Sequence, residues 1–150
     1  MPNEKINPEG AYGTLLTIWA ALLMSQFMFL VIVFFTKPEL FKFDLTKPLL
    51  GENAVIVVAL AAISLADLVI SIVLRKKFVE RSVTEQNIGL VQTGMIVGCA
   101  LAEAISLFGL LLAFVFDYQY FFLFSIIGII GILLHFPKRG DIHAASFKKI

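Results

Sequence analysis

The sequence is poor in charged residues, and this scarcity is its most informative property. Only 15% of its 150 residues are Asp, Glu, Lys or Arg, whereas 59% are hydrophobic. A soluble fold of this length cannot hide so much apolar surface in its core. The composition therefore excludes an ordinary water-soluble domain and predicts a protein whose solvent is the lipid bilayer.

Other absences exclude several classes of function. The single cysteine, Cys99, cannot form an intrachain disulfide, and a net charge of +1 gives no basic surface for nucleic acid. The sequence has no glycine-rich phosphate loop, and no serine–histidine–acid or cysteine–histidine set can be assembled from it. His135 and His143 are too far apart to bind a metal from one helix, and His135 is expected at the membrane interface. We therefore expect no enzyme activity, no metal and no cofactor.

Four apolar stretches are long enough to cross a bilayer, which takes about 20 apolar residues per helix. The predicted spans are residues 12–36, 54–74, 90–116 and 120–136. They predict an all-α integral membrane protein of two helical hairpins. An outer loop at 37–53, a cytoplasmic loop at 75–89 and cytoplasmic tails at 1–11 and 137–150 complete the predicted organisation. The first stretch is too long for a removed signal peptide, so we expect it to be a retained helix.

The distribution of lysine and arginine predicts the orientation of these spans. Of the 12 Lys and Arg residues, only Lys37, Lys42 and Lys47 lie in the first loop, and none lies in the turn near Asp117. The others lie in the amino tail, the second loop and the carboxyl tail, which the positive-inside rule places in the cytoplasm. We therefore expect a multi-pass protein of the inner (cytoplasmic) membrane with both termini in the cytoplasm.

Two acidic side chains, Asp67 and Glu103, interrupt spans that are otherwise uncharged. An ionised carboxylate near the bilayer centre costs about 2.5 to 3.5 kcal/mol, and the protonated form is cheaper there. Such residues are functional candidates by default, so both are predicted proton-binding or ion-binding sites. Alternatively, each acid hydrogen-bonds to Ser25, Gln26 or Ser64 and holds helices together. A third possibility is that the two acids share a proton or a cation between neighbouring helices.

Small residues recur on the two spans that carry these acids. They occur every four positions on the third span and more loosely on the second, at Gly94, Gly98, Ala102, Ser106, Ala62 and Ala66. Small residues let helix backbones approach closely within membranes. The pattern predicts either tight packing inside one bundle or an interface between subunits.

The stretch from Met95 to Phe114, MIVGCALAEAISLFGLLLAF, resembles the second helix of the ring-forming c subunit, or proteolipid, of rotary ATP synthases. In that family an Ala-x-x-Glu-Ala core is followed by Gly-Leu and an apolar run, and Glu103 occupies the place of the proton-binding carboxylate. The resemblance implies a cytoplasmic polar loop and a homo-oligomeric ring of tightly packed hairpins with a lipid-filled lumen. Because Ala104 follows Glu103, it also implies a proton and not sodium.

Two functions of different class follow from these features. In the first, protomers assemble through the small residues into a homo-oligomeric ring or pore, with membrane lipids as further partners. The embedded acids then support assembly or line a restricted path. The alternative is proton transport by a rotor-like subunit or a small proton channel that uses Glu103 as the carrier.

Overall fold

The structure, a computed structural model, describes residues 7–42 and 44–146. Within these ranges the chain contains no β-strand, and the all-α prediction is confirmed for this part of the chain. The α-helices are α1 (Pro8–Thr36), α2 (Ala54–Glu85), α3 (Ile88–Phe116), α4 (Phe122–Leu134) and α5 (Arg139–Ser146), and short 3-10 turns cover Pro38–Phe41 and Gln119–Phe121. Lys5, Lys148 and Lys149, whose charges contribute to the predicted orientation, lie outside the described residues.

Three of the described helices, α1, α2 and α3, are long and apolar enough to cross a membrane. The fourth, α4, has only 13 residues, or about 20 Å, against a hydrocarbon layer of about 30 Å. It reaches spanning length only if Gln119–Leu134 is taken together with α5, which is bent from it by 42°. The chain therefore has three helices, or four with this bent pair counted as one, whose length and composition suit a membrane-embedded protein. The arrangement of two hairpins in a ring stays a prediction.

The connection between α2 and α3 is shorter than the loop expected over residues 75–89. No glycine or proline interrupts α2 before it ends at Glu85, and Arg81 pairs with Glu85 one turn later, Nε to Oε1 2.5 Å. Gln86, the residue that follows α2, has a left-handed backbone with φ 50° and terminates the helix. The Asn87 side chain then caps the first turn of α3. A turn of two residues therefore replaces most of the expected loop.

The segment expected as a carboxyl tail over residues 137–150 contains α5, which lies against the other helices. Ile142 and Ala145, on one face of α5, are buried in a cluster that includes residues of α1 and α3. Arg139 at the start of α5 lies 3.9 Å from Glu9 near the start of α1, Nη1 to Oε2. One apolar face is thus enough to hold this short helix against the end of the molecule where α1 begins.

The central helix of the molecule is α3. It packs against α1, α2, α4 and α5, and it contributes more buried residues than any other helix described. Val57, Ser64 and Ser71 of α2 are buried at heptad spacing and form a seam on the helix that packs mainly against α3. By contrast, α1 is mostly exposed, and Gln26 is one of its few buried residues.

Two long basic side chains fix the ends of neighbouring helices. Lys37, which follows α1, donates to two carbonyl oxygens in the last turn of α3 at 3.2 and 3.1 Å and pairs with Asp117. At the other end of the molecule, Arg75 donates to the carbonyl oxygens of Leu134 and Phe136 at 2.9 and 2.7 Å. Carbonyls at a helix end have no partner inside the helix, so each cation satisfies them and faces the negative end of the helix dipole.

Candidate functional site

Glu103 lies midway along α3 and contacts α1. Of the three polar partners expected from the sequence, Ser25 is the one that bonds to it. Ser25 Oγ lies 2.7 Å from Glu103 Oε1, and also 2.7 Å from the carbonyl oxygen of Leu22 one turn earlier in α1. The Glu103 side chain is half-buried, and no described cation forms an ion pair with it. The carboxyl group is thus held by a hydroxyl and not by a positive charge.

Asp67 lies half-buried on α2 in a different environment. Across residues 7–42 and 44–146, no hydrogen bond or ion pair reaches its carboxyl group. The neighbouring hydroxyls of Ser64 and Ser71 donate to carbonyl oxygens of their own helix at 2.8 and 2.7 Å. Asp67 and Glu103 therefore form no hydrogen-bonded pair, and a proton shared between them has no contact to support it.

The small residues predicted on α3 are all buried against other helices of the same chain. A Cβ atom added at Gly94 would lie only 2.6 Å from Cβ of Phe78, which indicates how closely α2 and α3 approach. These small residues therefore pack inside the chain, and their positions are not open to a second copy. The contacts are Gly94 with Phe78 of α2, Gly98 with His135 after α4, Ala102 with Gly131 of α4 and Ser106 with Gly128 of α4.

Ala62 and Ala66 of α2 have the opposite environment. Both are exposed on the outer face of α2, and Ala59 continues that face one turn earlier. Large apolar side chains around them, such as Val58 and Val69, are also exposed. In a membrane this face meets either lipid or another protein.

Gln26 and Ser106 form a polar feature beside Glu103 that the sequence does not identify as a site. Gln26, which follows Ser25 in α1, is completely buried, and neither its Oε1 nor its Nε2 has a hydrogen-bond partner in the described part of the chain. Ser106 is also completely buried, with its hydroxyl unpartnered there. Both side chains lie against Gly128 of α4. The sequence offers Gln26 only as a possible partner of the membrane acids, and Ser106 only as one of the small residues of the third span.

His135, expected at the membrane interface, is buried among other helices at the end of α4. Its Nδ1 lies 2.6 Å from the carbonyl oxygen of Gly131, and its Nε2 lies 3.3 Å from that of Ser71 in α2. The ring also packs on Gly98 of α3, where a glycine leaves room for it. Each ring nitrogen thus faces a carbonyl oxygen, and a nitrogen that carries a proton donates to the carbonyl that it faces. His135 thus joins α2, α3 and α4 at one end of the molecule.

A cavity of about 440 Å³ lies at the opposite end, between residues 47–53 and 116–120. Tyr118 and Tyr120 line it, and their hydroxyls donate to carbonyl oxygens of the loop between α1 and α2 at 2.7 and 2.8 Å. Burial raises the pKa of Tyr118, and the neighbouring Tyr120 adds to the shift. The two tyrosines therefore fasten this loop to the turn between α3 and α4.

Asp44 organises the same loop through hydrogen bonds to its own carboxyl group. The Thr46 hydroxyl and the Thr46 backbone N–H donate to Asp44 Oδ1 at 2.6 and 3.0 Å. These bonds lower the pKa of Asp44, the hydroxyl most strongly, and Lys47 adds a smaller electrostatic effect. Gln119 donates to the backbone carbonyl of Asp44 at 2.7 Å, so the turned loop is tied to the end of α3.

Among the residues that the structure describes, no three His, Cys, Asp or Glu side chains are grouped so that they could hold a metal ion. Comparison with protein-family models, with curated proteins and with solved structures finds no match to this chain.

Proposed function

We propose that this chain is a membrane protein that transfers protons, with Glu103 as the group that binds and releases them. The observation that carries the proposal is the position of Ser25 Oγ, 2.7 Å from both Glu103 Oε1 and the carbonyl oxygen of Leu22. An acid inside a membrane-spanning helix is already a functional candidate on energetic grounds. The position of Ser25 adds a hydrogen-bond partner for Glu103 in either protonation state.

The two states differ in which group donates. A serine hydroxyl has one proton to donate, and its oxygen can accept hydrogen bonds. When Glu103 is ionised, the Ser25 hydroxyl donates to its Oε1. When Glu103 is protonated, the carboxyl O–H donates to Ser25 Oγ, and the Ser25 proton turns to the carbonyl of Leu22. That carbonyl accepts through its second lone pair and keeps its helical hydrogen bond, so neither state leaves a group unpaired.

The environment of Glu103 also suits a group that binds and releases a proton. Its carboxyl group is half-buried and bonded to a neutral hydroxyl, with no ion pair to a described cation. Hydrocarbon disfavours the charged form, whereas contact with water or a polar group stabilises it. A change in the contact of the Glu103 carboxyl group with water or a polar group therefore causes it to release or take up its proton. The resemblance of Met95–Phe114 to the proton-binding helix of the c subunit favours the same residue.

Proton flux into liposomes containing the full-length chain tests this function. Glu103→Gln should abolish the flux, because the amide preserves shape but has no exchangeable carboxyl proton. Asp67→Asn is the matched control: it removes the other membrane acid, which has no such partner, and should retain most of the flux. A carboxyl-directed carbodiimide should modify Glu103 and block transport. Unchanged flux in correctly folded Glu103→Gln protein would end the proposal.

A homo-oligomeric ring or pore is the second candidate function, with membrane lipids as further partners. The exposed face of α2 at Ala59, Ala62 and Ala66 favours it, because small residues allow another helix to approach closely. The small residues of α3 do not contribute, since they pack within the chain. In this function the membrane acids support assembly or line a restricted path.

The mass of the protein in lipid nanodiscs tests for self-association. Ala66→Trp should dissociate an oligomer built on the α2 face, because the indole prevents close helix contact. Val115→Trp is the control, since Val115 is equally apolar and 64% exposed on α3. Finding only monomers of the unmodified chain, both in mild detergents and in nanodiscs, would remove this second function.

For both functions we propose the same orientation. The end of the molecule with Arg75 and Arg139 carries more of the described Lys and Arg residues than the end with Lys37. The positive-inside rule then places the first of these ends, and both termini, in the cytoplasm. Location in the inner (cytoplasmic) membrane is part of the same proposal.

A further inference from the structure

We propose that Gln26, Ser106 and the carbonyl oxygen of Ala102 bind one internal water molecule, and that Glu103 exchanges its proton with this water. The binding of water stands on the geometry of these three groups alone. The exchange of a proton rests on the proposed function of Glu103. The two parts are therefore tested by different measurements.

Polar groups from α1 and α3 converge on one point of α4. A Cβ atom built on Gly128 would lie 3.2 Å from Gln26 Oε1 and 2.9 Å from the carbonyl oxygen of Ala102, and it would overlap the hydroxyl oxygen of Ser106. A glycine at position 128 is what allows these groups to come together. Because a Cβ atom at this point would already be too close to these groups, a ligand with a carbon skeleton does not fit there.

These groups need a partner that the protein does not supply. Gln26 and Ser106 are completely buried, and within the described residues Gln26 Oε1, Gln26 Nε2 and Ser106 Oγ have no hydrogen-bond partner. A buried polar atom without a partner has lost its hydration without compensation, and bulk water cannot reach it in hydrocarbon. Internal waters in proteins typically make about three hydrogen bonds to such groups. The amide, the hydroxyl and the carbonyl offer both donors and acceptors for one water.

The site lies within one helical turn of the contact between Ser25 and Glu103. Gln26 is the next residue after Ser25 in α1, and Ser106 follows Glu103 by one helical turn on the same side of α3. In the exchange, the Glu103 O–H bond breaks and its proton joins the water oxygen, while one of the water's own O–H bonds breaks and that proton joins the other carboxyl oxygen. Both groups end neutral, and the Glu103 carboxyl group has exchanged its proton.

Contact with water can be measured directly on the unmodified, full-length protein in lipid. Solid-state NMR with magnetisation transferred from water should show the Gln26 side-chain amide signal growing at a rate close to that of Gln92, half-buried near the start of α3. It should grow faster than the methyl signal of Met95, which is buried in an apolar cluster. Growth no faster than that of Met95 overturns the proposal. A sodium-dependent shift of the Gln26 signal overturns it too, because the ligand would then be a cation.

Two variants distinguish a shared water from isolated polar groups. If Gln26 and Ser106 hold one water, Gln26→Met and Ser106→Ala should each lower the unfolding temperature, and the double variant should lose less than the sum of both shifts. If no water is bound, each change removes an unpaired polar group. The unfolding temperature then rises, and the two effects add. That second result contradicts the water site.

The exchange step has its own measurement. Infrared spectroscopy follows hydrogen–deuterium exchange at the protonated Glu103 carboxyl, assigned by its loss in Glu103→Gln. Ser106→Ala should slow this exchange several-fold, whereas Ser64→Ala should not, because the Ser64 hydroxyl bonds its own helix. An unchanged rate in Ser106→Ala overturns the exchange role. If the unmodified protein shows no protonated Glu103, the proposed function fails, and the NMR result still decides whether water is bound.

Discussion

Ser25 gives Glu103 a hydroxyl hydrogen-bond partner, which Asp67 lacks among the described residues, although both acids lie in apolar helices. The Ser25 hydroxyl is close enough to Glu103 to donate to it when ionised and to accept from it when protonated. On α2, the hydroxyls of Ser64 and Ser71 are occupied by carbonyls of their own helix. A carboxyl side chain therefore has a hydroxyl partner on α3 and none on α2 among the residues that the structure describes.

Thr46 controls the ionisation of Asp44 in the loop between α1 and α2. We expect Thr46→Val to raise the pKa of Asp44, because it removes the hydroxyl that lowers this pKa most. In the folded protein the lowered pKa makes ionised Asp44 a stabilising group above its unfolded value of about 3.9. The stabilisation is lost as the pH falls through the lower folded value. NMR titration of the Asp44 side-chain carboxyl carbon measures the shift.

Lys47 provides the comparison for this loop. Lys47→Gln should raise the pKa of Asp44 by less than Thr46→Val does, because the Lys47 charge has the smaller influence. A larger shift in Lys47→Gln than in Thr46→Val would mean that electrostatic attraction, and not the hydroxyl hydrogen bond, sets the ionisation of Asp44.

The helices differ in what determines their ends. In α2, the absence of glycine and proline lets the helix continue past the apolar stretch to Glu85, so hydrophobicity alone underestimates its length. In α3, the last carbonyls are satisfied by Lys37, a residue at the end of another helix. Burial of one apolar face on the bundle is what holds α5. Local sequence therefore fixes the end of α2, whereas contacts between helices fix the end of α3 and the position of α5.

Close packing between α3 and α4 depends on Gly109. A Cβ atom there would lie 2.8 Å from the carbonyl oxygen of Phe121 and 2.9 Å from Cβ of Phe124, so the backbone of the neighbouring segment must move. We expect Gly109→Ala to lower the free energy of unfolding by about 1–3 kcal/mol. Denaturant titration in a fixed detergent, followed by circular dichroism, measures the change.

Gly13 of α1 is the matched control for this substitution. A Cβ atom at Gly13 meets nothing within 4 Å, so Gly13→Ala should be neutral or stabilise by up to about 1 kcal/mol through helix propensity. Equal losses in the two variants would show that alanine is tolerated poorly for a reason other than the contact between α3 and α4.

The whole molecule is a core around α3 with apolar side chains covering its outside. Large hydrophobic residues are exposed along α1 and α2, on faces that no other described helix covers. In water such surfaces would cause aggregation, whereas in a bilayer they contact lipid at no cost. The molecule is therefore apolar both in its core and on its outer faces, whereas a soluble helical bundle has polar outer faces.

Three methionines of the described residues report which faces meet lipid. Met24 and Met28 of α1 are 60% and 55% exposed, whereas Met95 of α3 is 2% exposed. A carbene reagent dissolved in the bilayer should therefore label peptides of residues 24–28 strongly and spare Met95. Mass spectrometry of the digested protein measures the ratio. Labelling of Met95 equal to that of Met24 would mean that α3 is not the central helix.

How much of the candidate site could be predicted from sequence varies residue by residue. Glu103 is identifiable, because a charge inside an apolar helix stands out in any context. Ser25 is identifiable only as one of several possible partners. The buried position of His135 and the convergence of Gln26 with Ser106 on Gly128 were not predictable, because each depends on how helices far apart in sequence are rotated against one another.

The sequence by itself determined that the chain forms helices long and apolar enough to cross a membrane. The reason is that the hydrophobicity of a segment is the sum over its own residues. Only the tertiary structure decided that the small residues of α3 face α2 and α4 while Ala62 and Ala66 face outwards. A sequence with small residues on two helices is compatible with either arrangement. The choice depends on the rotation of each helix, which is set by packing among all of them at once.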